Sequence, residues 1–148
     1  MNARIISMAA LVIAAATASP ASSNDANEPL LQVKSFGNVP YVSGGVGSDE
    51  RDRLIAMSHD DNLRLSFAMQ DGHYLGSAEV DVKNNKGEEV LEATSDGPLF
   101  FAKLPAGSYT IEATTMGQTH TRTVNVPSHG QTAIYFVWKH GDHQQAFN

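Results

Sequence analysis

After Asn62, and as far as Trp138, apolar and polar positions largely alternate with a period of two. Leu63, Leu65 and Phe67 alternate with Arg64 and Ser66, and Ala78, Val80 and Val82 with Glu79, Asp81 and Lys83. Tyr109, Ile111 and Ala113 alternate with Thr110, Glu112 and Thr114. That rhythm predicts strands with one buried face. Glu89–Thr94, Leu99–Leu104 and Thr119–Val126 read as three more strands, and Thr132–Trp138 as a last one, apolar on both faces and so expected to be covered on each side. Turn signals separate them: Gln70-Asp-Gly72, Asn84-Asn-Lys-Gly87, Ser95-Asp-Gly-Pro98, Pro105-Ala-Gly107, Met116-Gly-Gln118 and Pro127–Gly130. About seven short strands with turns roughly every eight to twelve residues predict an all-β fold, a seven-stranded antiparallel β-sandwich. No helix-length segment lies between the strands, which argues against a parallel sheet.

Ahead of the strands the pattern changes. Gly37–Gly47, with four glycines and a proline, reads as a loop. One short helix should follow, opened by Ser48 or Asp49 as N-cap, with Asp49, Glu50 and Asp52 in the first turn where the helix dipole favours carboxylates. Leu54, Ala56 and Met57 give it an apolar face, and it should end near Ser58. Earlier still, Arg4 is the only charged residue before Asp25, Ile5–Ala16 is almost wholly apolar, and Ala16-Thr17-Ala18 fits a small-x-small cleavage site. This is the order of a secretory signal, and the apolar run is shorter than the roughly 20 residues that span a bilayer. The expected organisation is therefore a signal peptide over 1–18, a flexible leader over 19–36 whose Leu31–Phe36 end reads as a short extended piece, the Gly-rich loop and helix over 37–60, the sandwich over 61–139 and a polar tail over 140–148. A periplasmic or secreted protein with no membrane span after processing follows.

Charge and composition narrow the function. The 148-residue chain carries a formal net charge of −6, which repels phosphate backbones and excludes nucleic acid as the expected partner. It has no Cys, so no disulfide supports the exported fold and the core must hold it alone.

Leu104-Pro-Ala-Gly-Ser-Tyr-Thr-Ile111 resembles the "L-P-x-G-x-Y-x-hydrophobic" turn of carboxypeptidase regulatory-like domains, which are transthyretin-like (prealbumin-like) sandwiches. Tyr74-Leu75-Gly76 to Val82 resembles the opening strand of that family, and Asn85-Lys86-Gly87 its following turn. Gly44-Gly45-Val46-Gly47 with Glu50-Arg51 is similar to the opening of a group of uncharacterised proteobacterial exported proteins with this sandwich. The resemblance implies the fold over Leu63–Trp138 and a binding or scaffolding role without catalysis or cofactor, directed at a protein or an envelope polymer. The related hydroxyisourate hydrolases end in Tyr-Arg-Gly-Ser, whereas this chain ends Gln144-Gln-Ala-Phe-Asn148, so their activity is not carried over.

Candidate chemistry is sparse. There is no Gly-x-Ser-x-Gly elbow for a nucleophile. The glycine loop before the helix could cradle an anion, but Asp49 and Glu50 would repel a phosphate. Six His are present, and His59-Asp60-Asp61 and His140-Gly-Asp142-His143 each combine imidazole with carboxylate. His59, His140 and His143 are thus candidate Zn²⁺ or Cu²⁺ ligands; the first alternative function is a periplasmic metal-binding protein, and the second, ranked below it, a transthyretin-related hydrolase. Tyr135 and Trp138 are candidate binding residues, since the strand they share offers one aromatic face to the core and the other to a sugar ring or apolar peptide.

Overall fold

The period-two segments are strands in a computed structural model of the chain, which describes residues 31–139. In chain order they are β1 (Lys34–Phe36), β2 (Val39–Gly44), β3 (Leu63–Met69), β4 (Glu79–Asn84), β5 (Glu89–Thr94), β6 (Leu99–Ala102), β7 (Gly107–Thr115), β8 (Gln118–Val126) and β9 (Thr132–Trp138), with one helix, α1 (Ser48–Met57), between β2 and β3. They form a five-stranded sheet in the order β1-β2-β6-β3-β9 and a four-stranded sheet in the order β5-β4-β7-β8, stacked as a sandwich.

The expected class is mostly β with one short helix, as found, but two features correct it. The strands number nine among the described residues rather than seven. The sheets are also not antiparallel throughout: β3 and β9 run parallel, from Leu63 beside Thr132 to Met69 beside Trp138. The chain leaves β3 for the four-stranded sheet, returns as β6, leaves again and comes back as β9. A parallel pair needs a crossover, and here the opposite sheet supplies it in place of a helix.

Of the two extra strands, β1 lies in the short extended piece read at the end of the leader, and β2 lies where a loop was expected. β2 falls in the Gly37–Gly47 stretch because Val39 and Val42 are buried and its backbone pairs with β6, from Tyr41 beside Ala102 to Gly44 beside Leu99. β1 falls in the 19–36 stretch and pairs with β2. Gly44, one of the glycines that suggested a loop, serves a close approach instead: a Cβ on Gly97 would run into its backbone.

Between the sheets, Leu63, Leu65, Phe67 and Met69 of β3 and Ile134, Phe136 and Trp138 of β9 meet Val80, Val82, Leu91 and Ile111 of the other sheet. Phe67, Phe136 and Trp138 form a ring cluster with centroids 6.0–6.1 Å apart. A smaller cluster lies on the outer side of the five-stranded sheet, where Leu54 of α1 covers Val42, Leu99 and Phe101. Leu54 is the one buried residue of α1, so the expected apolar face of Leu54, Ala56 and Met57 shrinks to a single side chain. Nor does Ser48 or Asp49 cap the helix: its N-cap is Gly47, at φ 117°, with no side-chain hydrogen bond. Glu50 instead reaches back to accept from the Gly45 N–H at 2.9 Å.

The Leu104–Ile111 turn is built as its residues suggest. Leu104 and Tyr109 are buried, and the Tyr109 hydroxyl donates to the Pro105 carbonyl at 2.6 Å. Asn62 fixes the same end of the sandwich. Its Nδ2 donates to the carbonyls of Leu104 (2.6 Å) and Pro127 (3.0 Å), and its Oδ1 accepts from the Leu104 N–H (2.9 Å). No helix among the described residues is long and apolar enough to cross a membrane.

Candidate functional site

β9 is an edge strand of the five-stranded sheet. The Thr132 N–H donates to the Asn62 carbonyl and the Trp138 carbonyl accepts from the Gln70 N–H. With the parallel register, these bonds turn the main-chain groups of Thr132, Ile134, Phe136 and Trp138 toward β3. The alternate residues Ala133, Tyr135 and Val137 therefore point their N–H and C=O groups away from the sheet, along its free edge. Their side chains lie on the outer face and are exposed, Tyr135 at 63% and Val137 at 46%. This overturns the expectation that β9 is covered on both sides. Helix α1 packs on β2 and β6, two strands away, and leaves the outer face of β9 open.

Of the two candidate aromatics, then, only Tyr135 faces solvent. Trp138 is fully buried, touched edge-on by His120 at 4.9 Å, and its Nε1 donates to the Gln118 carbonyl of β8 at 3.1 Å. At the other end of β9 the Thr132 hydroxyl donates to the Asn125 carbonyl at 3.1 Å. Side chains of β9 thus satisfy two carbonyls of the neighbouring edge, β8, and the outward groups of Ala133, Tyr135 and Val137 have no partner among the described residues.

His59 is exposed at the exit of α1, with Nδ1 2.9 Å from the Ala56 carbonyl and Nε2 3.4 Å from Asp60. It shares a recess of about 210 Å³ with Asp60, Lys103 and His129. His140 and His143 lie outside the described residues. Among the described residues no group of three or more His, Asp or Glu is placed to hold a metal ion. Next to the recess, burial raises the Asp61 carboxyl above its usual range, partly offset by Lys103.

The outer face of the four-stranded sheet is of opposite character. Glu92, Asp81 and Glu112 stand directly beside one another across β5, β4 and β7, with Glu79 on the same face. Asp81 Oδ1 is buried without a hydrogen-bond partner. Desolvation, together with Glu112 and Glu92, raises the Asp81 carboxyl, against the lowering effect of Lys83. A hydrogen bond with Glu92 is the main cause that raises Glu89. The sequence carried the signal for this face, since Glu79, Asp81, Glu92 and Glu112 are the polar members of alternating strands, but which carboxylates meet depends on strand order.

Two further features escaped the sequence. The cation–π contact of Arg51 with the Tyr74 ring, 4.6 Å from the centroid, joins α1 to the isolated bridge between Ala68 and Tyr74. Asn62, a lone polar residue before an apolar strand, gave no hint of its three main-chain bonds. Compared with known proteins, the chain matches no family model and no curated protein.

Proposed function

We propose that the chain is an exported, non-catalytic binding module of the carboxypeptidase regulatory-like type, a transthyretin-like sandwich that contacts a protein along the free edge of β9. One observation carries this reading: a seven-residue edge strand without a charged residue presents three backbone positions that have no partner among the described residues, and exposes the side chains of Ala133, Tyr135 and Val137. Proteins blunt their edges with charges, prolines, bulges or short strands because an open edge templates strand addition. β9 has no charge and no proline, and its ladder with β3 runs without a bulge. An edge so left suits strand addition, in which main-chain bonds supply affinity and alternate side chains supply selectivity. The signal-like N-terminus supports export, and the Tyr109–Pro105 bond of the Leu104–Ile111 turn supports the family reading.

A photoreactive residue placed at Tyr135, with Thr121 of β8 as control, tests the reading in the producing bacterium. A discrete protein adduct from position 135 and none from position 121 is expected. No adduct at 135, equal adducts at both positions, or an adduct to a glycan alone overturns it. Fractionation of the same cells, with N-terminal sequencing, tests export; a mature chain beginning at Ser19 in the periplasm or medium is expected.

A further inference from the structure

We propose that the partner segment added at β9 carries a glutamate opposite Ala133, and that Arg64 takes its carboxylate. The inference rests on the reading of β9 as a contact surface and names the chemistry of its partner.

Arg64 stands at the step between the covered and the bare half of the five-stranded sheet. On the outer face a row runs from β2 to β9 through Val42, Phe101, Arg64 and Ala133. Leu54 of α1 covers Val42 and Phe101, whereas Ala133 is exposed. Arg64 itself is half-buried, with its guanidinium over the Phe101 ring at 5.7 Å from the centroid. It makes no hydrogen bond and no ion pair among the described residues, and its Nε is buried without a partner. The sequence holds 16 Asp and Glu, yet none of those described is set against this cation. A half-buried charge without a partner is costly, and a carboxylate brought by a ligand offsets that cost. The planar guanidinium fork matches a carboxylate with two parallel bonds.

The row extends into an added strand. Neighbouring strands lie about 4.8 Å apart, so the residue opposite Ala133 stands roughly 10 Å from Arg64. Only the Ala133 methyl lies between them on that face. Two long side chains meet across such a gap, which favours glutamate over the shorter aspartate. One step along the strand the path is closed, because the Tyr135 ring stands between the edge and Ser66. The other sheet repels the same partner: its edge strand β5 carries Glu89 and Glu92, and Glu92 lies in line with Asp81 and Glu112. An acidic strand is thus accepted at one edge and refused at the other, and selectivity draws on both.

The probe is a capped peptide with the strand Thr-Val-Glu-Val-Thr between Ser-Gly ends, and the control has Gln in place of Glu. Each is titrated into the purified chain at low salt while amide and arginine Nε–H resonances are followed. The Glu peptide should shift Ala133, Tyr135, Val137 and the Arg64 Nε–H together, and should bind about fivefold to tenfold more tightly than the Gln peptide. Arg64→Gln should keep its melting temperature and bind both peptides alike. Arg64→Lys, with the charge but not the fork, should keep part of the preference. Added salt should narrow it.

Equal binding of the two peptides by the wild-type chain, a Glu preference that survives Arg64→Gln, or no binding of either at millimolar concentration overturns the role of Arg64 and leaves the β9 reading to the photo-crosslinking result. A shift of the Arg64 Nε–H without the β9 amides overturns the placement of the carboxylate on an added strand. If position 135 gives no adduct as well, the β9 surface falls with it.

Discussion

The two sheets share one core but turn opposite faces outward. Behind the four-stranded sheet stand Glu79, Asp81, Glu92 and Glu112, three of them in a line across adjacent strands. Behind the five-stranded sheet, α1 seals Val42, Leu99 and Phe101 under Leu54, and beyond it Tyr135 and Val137 lie open. The acidic face needs no cover, because water solvates carboxylates and their repulsion keeps a second sheet away. The apolar face is half covered from within the chain, and the other half ends at an uncharged edge. Surface charge has been spent where contact is unwanted and withheld where contact is proposed.

The sharpest break of this comparison lies within β9 itself, whose two faces belong to different environments. Trp138→Ala removes a fully buried ring from the Phe67–Phe136 cluster and strands the Gln118 carbonyl, and should cost about 3–5 kcal/mol in urea unfolding. Tyr135→Ala, three residues away, should change monomer stability by less than about 0.5 kcal/mol. Comparable losses at the two positions would show that the outer face of β9 is covered in the folded chain.

A smaller effect tests the internal cover. Leu54→Ala should cost about 2–4 kcal/mol, because Leu54 is the only buried anchor of α1 and packs on Val42, Leu99 and Phe101. The loss should come with faster amide exchange across Ser48–Met57, since a helix of this length depends on packing rather than on its own propensity. Unchanged exchange would mean that the Arg51–Tyr74 contact and the Glu50–Gly45 bond hold α1 without Leu54.

The sequence made the inward pattern legible and the pairing less so. Leu63, Leu65, Phe67, Val80, Val82, Tyr109 and Ile111 are buried where alternation put them, because a period of two identifies a face without reference to neighbours. Strand order needs contacts far apart in sequence, and so the parallel β3–β9 pair stayed hidden. β2 was lost among glycines, since composition does not distinguish a glycine that frees a loop from one, such as Gly44, whose backbone lies against that of Gly97. At the candidate site, Tyr135 was legible as an aromatic opposite Phe136 and Trp138. That its face is bare was not, because α1 has one buried residue where three were read, and it settles over β2 and β6 rather than β9.

The acidic face gives the smallest and most diagnostic effect. Asp81 is partly buried between Glu92 and Glu112, with one carboxylate oxygen unpartnered, and its pKa is raised, first by desolvation. A carboxyl whose folded pKa exceeds its unfolded value binds its proton more readily in the folded state. Its favourable contribution is complete below the unfolded carboxylate range and is lost as pH rises through the folded pKa. At neutral pH the ionised row therefore works against the fold. Asp81→Asn should stabilise the chain by about 0.5 kcal/mol at neutral pH, a small figure because solvent screens the row. The gain should fade as pH drops below about 4, where wild-type Asp81 is protonated in both states, and should shrink as added salt screens the like charges. Chemical denaturation at neutral and acid pH, with and without salt, reads all three trends. A destabilised Asp81→Asn chain at neutral pH would mean that the carboxylate is held by a favourable partner, and the contrast between a self-repelling face and a contact-seeking one would lose its charged half.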